Sequence, residues 1–397
     1  MINKIHQMDC LEGMKKIPDN SIDSCVTDPP YGLSKEPDIR EVLKKWLNNE
    51  PYDHKHAGFM GKTWDSFVPH PDIWREVYRV LKPGAHALVF AGTRTQDLMT
   101  ISLRLAGFEV RDVIEWLYFS GFPKSLDVGK AFDRRAGAVR EVIGKSLSGR
   151  RKESTWNPEG KNSGVFRPNN DGYEITAPAT DLAKKWDGWG TALKPAHEPI
   201  VMVRKPLDGT VADNVEKYGT GAINIDGCRI DYSDEQDRNQ NTEGLSRFLS
   251  TSGGWKNTSI NGVIPSGKSI KGRFPANIVT TEPDAFWSKY CNVTPPELSK
   301  KASKRDRNSD WRGEEITFNR NTHPTCKPTD LMAWLVRLAT PPGGIVLDPF
   351  AGSGSTLVAA KREGFNFIGF ELEKEYVEIA EARISGEPEQ QALFYLG

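Results

Sequence analysis

At both ends of the chain the apolar positions switch repeatedly between a helical and a strand period. In PDIWREVYRVLKPG, residues 71–84, Ile73, Val77, Val80 and Leu81 fall on one helical face, and Pro83-Gly84 ends the run. AHALVFAG (85–92) then reads as a buried strand, QDLMTISLRLAG (96–107) as a helix closed by Gly107, and FEVRDVIEWLYF (108–119) as another strand. Ahead of these lie a short strand near Ile5–Met8, a helix over about Cys10–Lys16 and a strand over about Ser24–Thr27. The C-terminal end repeats the alternation: TDLMAWLVRLAT (329–340) as helix, GGIVLDPF (343–350) as strand, STLVAAKREG (355–364) as helix, FNFIGFEL (365–372) as strand, and an acidic last helix, EKEYVEIAEARI (373–384). One isolated apolar stretch, EPIVMVRKP (198–206), fits the same sheet. Strands alternating with helices predict an α/β fold with a doubly wound, mainly parallel sheet.

Between the two periodic ends, residues 120–193 and 207–322 carry little periodicity and are rich in Gly, Ser, Asn and Pro. Tracts of that length are functional loops or unstructured segments. Composition adds limits. The five cysteines are widely spaced without a Cys-x-x-Cys pair, so neither a disulfide framework nor a zinc site is expected. There is no apolar run long enough for a membrane span, and MINKIHQMDC has no secretory apolar core, which together predict a cytoplasmic protein away from membranes. Formal net charge is zero, yet its distribution is uneven. Residues 121–170 hold eleven Lys/Arg against five Asp/Glu, residues 241–327 fourteen against eight, and 361–397 four against eight. The middle is therefore basic and the C-terminal end acidic.

Two short motifs carry candidate chemistry. In SIDSCVTDPPYGL (21–33) a strand ends at Asp28-Pro29-Pro30-Tyr31. Two prolines stop a ladder and stiffen the turn, which holds one carboxylate, one carbonyl and one ring in fixed relation. A rigid surface turn would have the same sequence. In VLDPFAGSGSTLVAA (346–360) a strand runs through a glycine-rich turn into a helix, the geometry of a cofactor loop at the carboxyl end of a parallel strand. Glu371 ends the next strand, where an acid accepts hydrogen bonds from ribose hydroxyls. The third glycine of the dinucleotide fingerprint is missing, and so is Gly-Lys-Ser/Thr, so the motif suits a nucleoside cofactor without a pyrophosphate, such as S-adenosyl-L-methionine.

Together these motifs resemble the amino-methyltransferases of DNA, with HPTCKP (323–328) similar to the segment that closes over the methionine end of the cofactor. The catalytic motif precedes the cofactor motif, which resembles the β group of that family, and GFPKSLDVGKAFD, LKPAHEPIVMVRKP and GRFPANIV are similar to segments of phage and prophage modification methylases. The resemblance implies a circularly permuted seven-stranded methyltransferase sheet with a long inserted DNA-recognition region. It implies a catalytic domain made of 1–206, with a loop-rich insertion over about 120–193, and 323–397, separated by a target-recognition region at 207–322. It implies methyl transfer from S-adenosyl-L-methionine to an exocyclic amine of double-stranded DNA, after the base is flipped out. Asp28 and the Pro29 carbonyl would take the amine, Pro30 would hold the turn, and Tyr31 would stack on the base. Gly352 and Gly354 would approach the methionyl part and Asp348 would orient it, directly or through water; Phe350 would contact the cofactor, Glu371 the ribose, Asp9 the adenine amine, and Thr325 and Lys327 the methionine carboxylate. Asp9 is equally well explained as a helix N-cap. His197 and Glu198 would line the base pocket or form a strand-end turn. Asp at the motif's first position favours N6 of adenine over N4 of cytosine. A homodimer and a companion restriction endonuclease are compatible with the resemblance, and the competing functions are methylation of RNA or protein and a non-catalytic DNA-binding module.

Overall fold

The computed structural model describes residues 1–33, 35–55, 66–118, 121, 125–146, 173–230, 272–280, 292–293, 307, 321 and 326–386. In chain order the elements are β1 (Lys4–Gln7), α1 (Cys10–Met14), β2 (Ile22–Thr27), α2 (Ile39–Leu47), α3 (Pro71–Val80), β3 (Leu81–Phe90), α4 (Gln96–Leu105), β4 (Glu109–Leu117), α5 (Val128–Arg135), β5 (Val142–Ser146), β6 (Tyr173–Thr176), α6 (Asp181–Lys185), β7 (His197–Arg204), α7 (Val211–Tyr218), β8 (Ile278–Thr280), β9 (Asn292–Val293), α8 (Thr329–Ala339), β10 (Ile345–Asp348), α9 (Ser355–Arg362), β11 (Asn366–Glu371) and α10 (Lys374–Gly386). Two compact units result: Met1–Ser120 with Ala196–Gly397, and Gly121–Pro195.

The larger unit is built on one sheet in the order β1-β11-β10-β2-β3-β7-β4-β8-β9. Its strands pair in parallel except β7, which runs antiparallel to both β3 and β4. The fold is thus α/β with a mainly parallel sheet. Beyond the seven strands read from the sequence, the sheet is extended by β8 and β9, whose three and two residues are too short to show a period. Strands from the two ends of the chain are neighbours at its centre, with Val346 beside Ser24 and Leu347 beside Cys25.

Alternate side chains of the central strands enter opposite cores. Val26, Leu88 and Phe90 pack with Leu331, Leu335, Leu357 and Ala380 of α8, α9 and α10. Cys25, Ala87 and Val89 pack with Met14, Trp74, Val77 and Leu103 of α1, α3 and α4. This is the two-residue period of strands buried on both faces. Each fully buried Val, Leu, Phe or Met among them contributes about 1.5–3 kcal/mol by leaving water. Polar groups that enter the centre are paired: Asp23 accepts from Lys82 Nζ (2.6 Å) and the Ile345 N–H (2.8 Å), and the Ser24 and Thr340 hydroxyls share a hydrogen bond of 2.8 Å.

The smaller unit falls on the tract read as a loop-rich insertion, yet it contains α5, α6 and the antiparallel pair β5–β6. The buried Asp133 on α5 holds it together. Its carboxylate accepts from the N–H groups of Ala179 (3.0 Å) and Thr180 (2.9 Å), the Thr180 hydroxyl (2.8 Å) and Arg140 Nη1 (2.6 Å). These elements were missed because their buried positions are set by a hydrogen-bonded carboxylate rather than by a hydrophobic period. The helices α2 and α7 were also absent from the sequence reading, although IREVLKKWL and the Thr210 capping box carry local signals for both. The tract 207–322, expected to read the target sequence, lies largely outside the described residues. No helix among the described residues is long and apolar enough to cross a membrane.

Candidate active site

Chain direction splits at the centre of the sheet. After β10 the chain crosses through α9 to β11 on one side, whereas after β2 it leads to β3 on the other. Adjacent parallel strands whose connections diverge leave a crevice at their carboxyl ends, where open α/β sheets bind ligands. Both motifs found in the sequence lie at this crevice. Thr27, the last residue of β2, donates its hydroxyl to Asp348 Oδ1 at the end of β10 (2.6 Å). Asp348 is buried and also accepts the Phe350 N–H (3.1 Å). Burial pushes its carboxyl up to about 6 against the hydrogen bonds from Thr27, Thr356 and Phe350 that favour the charged form.

Beyond Thr27 the Asp28–Tyr31 turn is clamped rather than free. The Tyr31 carbonyl accepts the Thr95 hydroxyl (2.6 Å). Gly32 has φ +66°, and a Cβ there would lie 2.9 Å from the backbone nitrogen of Val68, so only glycine fits. Three other segments of the same unit face the turn. Tyr31 Oη lies 2.7 Å from Asp28 Oδ1 and 3.0 Å from Glu198 Oε2, placing one phenolic proton between two carboxylates. Lys327 Nζ lies 2.5 Å from Asp28 Oδ2 and 3.3 Å from Glu198 Oε2. The ammonium also lies over the rings of Phe90 and Tyr31, 4.9 and 5.2 Å from their centroids. Glu198 in turn is hydrogen-bonded to Tyr118.

The side chains are mostly shielded, with 19% of Asp28, 17% of Glu198 and 7% of Lys327 exposed. Burial raises the Asp28 carboxyl above the ordinary range; Lys327 opposes that rise and Glu198 adds to it. Burial pulls the Lys327 amine down, but Asp28 and Glu198 outweigh it and hold the amine above its usual value. Tyr31 is pushed well up, first by burial and then by the two carboxylates. The result is a shielded cluster of acceptors and one ammonium set against aromatic rings.

The glycine loop forms the other wall. Gly352 (φ 51°) and Gly354 (φ 81°) both adopt left-handed backbone. Glu371, at the end of β11, accepts the Gly352 N–H (2.9 Å) with one carboxylate oxygen and the Glu373 N–H (2.9 Å) with the other. It is only half-buried, and each oxygen keeps a lone pair for a ligand hydroxyl. Burial raises its carboxyl, against the backbone N–H groups that favour the charge. Asp9 is exposed and caps α1 through the N–H groups of Leu11 (2.9 Å) and Glu12 (3.2 Å), just past the β1–β11 pairing that ends at Gln7 and Glu371. Phe350 packs against Trp74, with ring centroids 6.1 Å apart.

The crevice therefore brings together Asp28, Pro29, Pro30, Tyr31, Lys327, Asp348, Phe350, Gly352, Gly354 and Glu371, with Asp9 beside the last. Thr325 and His323 lie outside the described residues. Lys327, assigned from sequence to a cofactor carboxylate, has its ammonium on Asp28 and Glu198. His197 is half-exposed and faces Glu115 at 3.6 Å, whereas its neighbour Glu198 turns towards Tyr31 and Lys327, as alternation along β7 demands. The sequence reading missed Phe90, Tyr118 and the buried Arg383 of α10. Arg383 donates to the Ser353 carbonyl (2.6 Å) and to the Ser355 (3.2 Å) and Thr329 (3.3 Å) hydroxyls, bracing the glycine loop from behind. An arginine inside a helix otherwise read as acidic was the available signal.

This arrangement, an Asp-Pro-Pro-Tyr turn beside a glycine loop at the switch point of a mainly parallel sheet, is that of a nucleobase amino-methyltransferase. The chain belongs to the N6_N4_Mtase family of DNA methylases, whose model matches residues 22–382. It is 24% identical over 406 aligned positions to the type II methyltransferase M.HindIII of Haemophilus influenzae, covering 97% of this chain and 96% of that protein. A 67-residue stretch is 49% identical to the type II methyltransferase M2.DpnII of Streptococcus pneumoniae, spanning 17% of this chain and 25% of that one. Among solved structures, the PvuII DNA methyltransferase (cytosine-N4-specific) aligns over 96% of this chain and 85% of its own, at 15% identity and a TM-score of 0.43. The M1.HpyAVI–SAM complex aligns over 96% and 98%, at 16% identity and a TM-score of 0.40.

Proposed function

We propose that this DNA methylase transfers a methyl group to the exocyclic N6 of adenine at a specific site in double-stranded DNA, with S-adenosyl-L-methionine as donor. The observation that supports this most directly is the Asp28 carboxylate, held beside the Tyr31 ring within the crevice that Glu371 and the glycine loop border. The loop fits such a donor: Gly352 offers backbone without a side chain, and Glu371 has acceptor capacity for two ribose hydroxyls. When bound, the sulfonium supplies an already activated methyl group, so the protein need not create a strong nucleophile.

The harder partner is the amine, whose lone pair is conjugated with the base. Asp28 and the Pro29 carbonyl each accept one N–H, drawing the nitrogen towards tetrahedral geometry. The freed lone pair can then be aimed, and Asp28 stabilises the positive charge that develops on nitrogen. Tyr31 stacks on the base, and Pro30 keeps the turn stiff. A base inside a duplex cannot reach this pocket, so the nucleotide is flipped out at a cost of roughly a few kcal/mol. Phosphate contacts from the basic middle of the chain offset that cost.

Radiolabelled methyl transfer from S-adenosyl-L-methionine tests the reading, with duplex DNA, RNA and protein offered as acceptors. Label on duplex DNA alone supports it. Binding of duplex DNA without transfer would establish a non-catalytic module instead. Sequencing the modified bases then separates N6-methyladenine from N4-methylcytosine, and the latter would overturn the choice of base.

A further inference from the structure

The acceptor that the target amine needs is already in use. Lys327 Nζ lies 2.5 Å from Asp28 Oδ2 and sits over the Tyr31 and Phe90 rings, at the carboxylate and beside the ring assigned to the flipped base. A base cannot both stack on Tyr31 and donate to Asp28 while that ammonium remains in place. The cation is buried, so it cannot simply withdraw unpaired, because an isolated buried charge is strongly disfavoured. A second carboxylate stands within reach: Glu198 Oε2 is 3.3 Å from Nζ.

We propose that Lys327 is a place-holder for the target amine and that Glu198 is the carboxylate that takes it over when the base enters, which makes both of them positioning residues of the transfer reaction. This rests on the function proposed above. The exchange needs only a small swing of a flexible stem, because Nζ already touches both acceptors. It leaves the Oδ2 atom of Asp28 for the amine, while Oδ1 keeps the Tyr31 hydroxyl, and it keeps the ammonium paired throughout. The Tyr31 hydroxyl bridges Asp28 and Glu198, so the ring that stacks on the base stays fixed while the cation moves. Lys327 stays protonated between the carboxylates and so has no lone pair, which stops its own nitrogen from competing for the methyl group.

The groups facing Asp28 are Tyr31 from its own turn, Glu198 from β7, Lys327 from the segment before α8, and Asp348 at the end of β10; Glu198 also faces Tyr118. Lys327 lowers the Asp28 pKa and Glu198 raises it, so removing them shifts the titration of Asp28 in opposite directions. Labelled methyl transfer to unmethylated bacterial DNA, followed as kcat/KM against pH, reads those shifts. Lys327→Met is expected to move the acid limb up by about one pH unit or more, the effect of losing an adjacent opposite charge. Glu198→Gln is expected to move it down and to lower kcat/KM by roughly tenfold at neutral pH, the scale of one lost charged contact. DNA affinity should hardly change in either. A packing role would move neither limb. Urea unfolding and S-adenosyl-L-methionine binding check that each variant is folded; if Lys327→Met is not, the downward shift of Glu198→Gln decides alone. Limbs that stay in place, or that move together, while the wild type transfers methyl overturn this inference and leave the function standing. A wild type that transfers no methyl to DNA overturns both.

Discussion

Replacing Gly354 by alanine separates two reasons for a glycine in the cofactor loop. From the sequence, Gly354 lets the backbone approach a ligand. In the structure it opens α9 with φ +81°, and a Cβ there would lie 2.8 Å from the Ala380 Cβ on α10 and 3.2 Å from its Cα. An alanine in left-handed backbone costs about 1–2 kcal/mol. The collision adds about 1–3 kcal/mol, because the Ala380 methyl has no rotamer to escape into and the helices themselves must part. Gly354→Ala is therefore expected to destabilise the protein by about 2–5 kcal/mol in sum. Gly343→Ala is the control: φ is +73°, yet nothing lies within 4 Å of the new methyl, so only the backbone cost applies. Equilibrium urea unfolding followed by tryptophan emission gives both values from the shift in midpoint at constant slope. If Gly354→Ala proves no less stable than Gly343→Ala while S-adenosyl-L-methionine binding is lost, the packing account fails and ligand approach explains the glycine.

The two walls of the crevice should also separate by phenotype. Asp28→Ala is expected to lower kcat by about 10²–10³ or more while donor binding survives, since one preorganised acceptor of the transition state is removed. Glu371→Ala should weaken donor binding, measured by calorimetry; an exchange of these two phenotypes would reverse the assignment of the walls. The logarithm of the affinity for duplex DNA should fall linearly with log salt, and a flat titration would refute the phosphate contacts. In the smaller unit, burial works against the Asp133 charge, but the Ala179 and Thr180 N–H groups, the Thr180 hydroxyl and Arg140 win and bring its carboxyl down to about 2. A depressed acid stabilises the fold above its unfolded pKa of about 4 and loses that contribution as pH falls towards 2. Melting of that unit should consequently become acid-sensitive over this window, and Asp133→Asn should remove the sensitivity.

Much of this architecture was legible along the chain because its signals are local. The helical period of 71–81, the strand-turn-helix at 346–360 and the proline-stiffened turn after Thr27 each need only a few neighbouring residues to be recognised. Those signals determined the α/β class, both motifs and the acid at the end of β11. The smaller unit stayed hidden, since Asp133 recruits partners from 140 and 179–180 that no hydrophobic period announces. Gly354 was recognised, but the reason for it lies on another helix, at Ala380. Lys327 and Glu198 were visible as residues of HPTCKP and KPAHEP, yet nothing in either segment says that they converge on Asp28, 299 positions from Lys327. Spacing along a chain reports only which side chains share a strand or a helix. Which charges meet, and which carboxylate an ammonium must leave before a base can enter, is decided when parallel strands from opposite ends of the chain pair at the centre of the sheet.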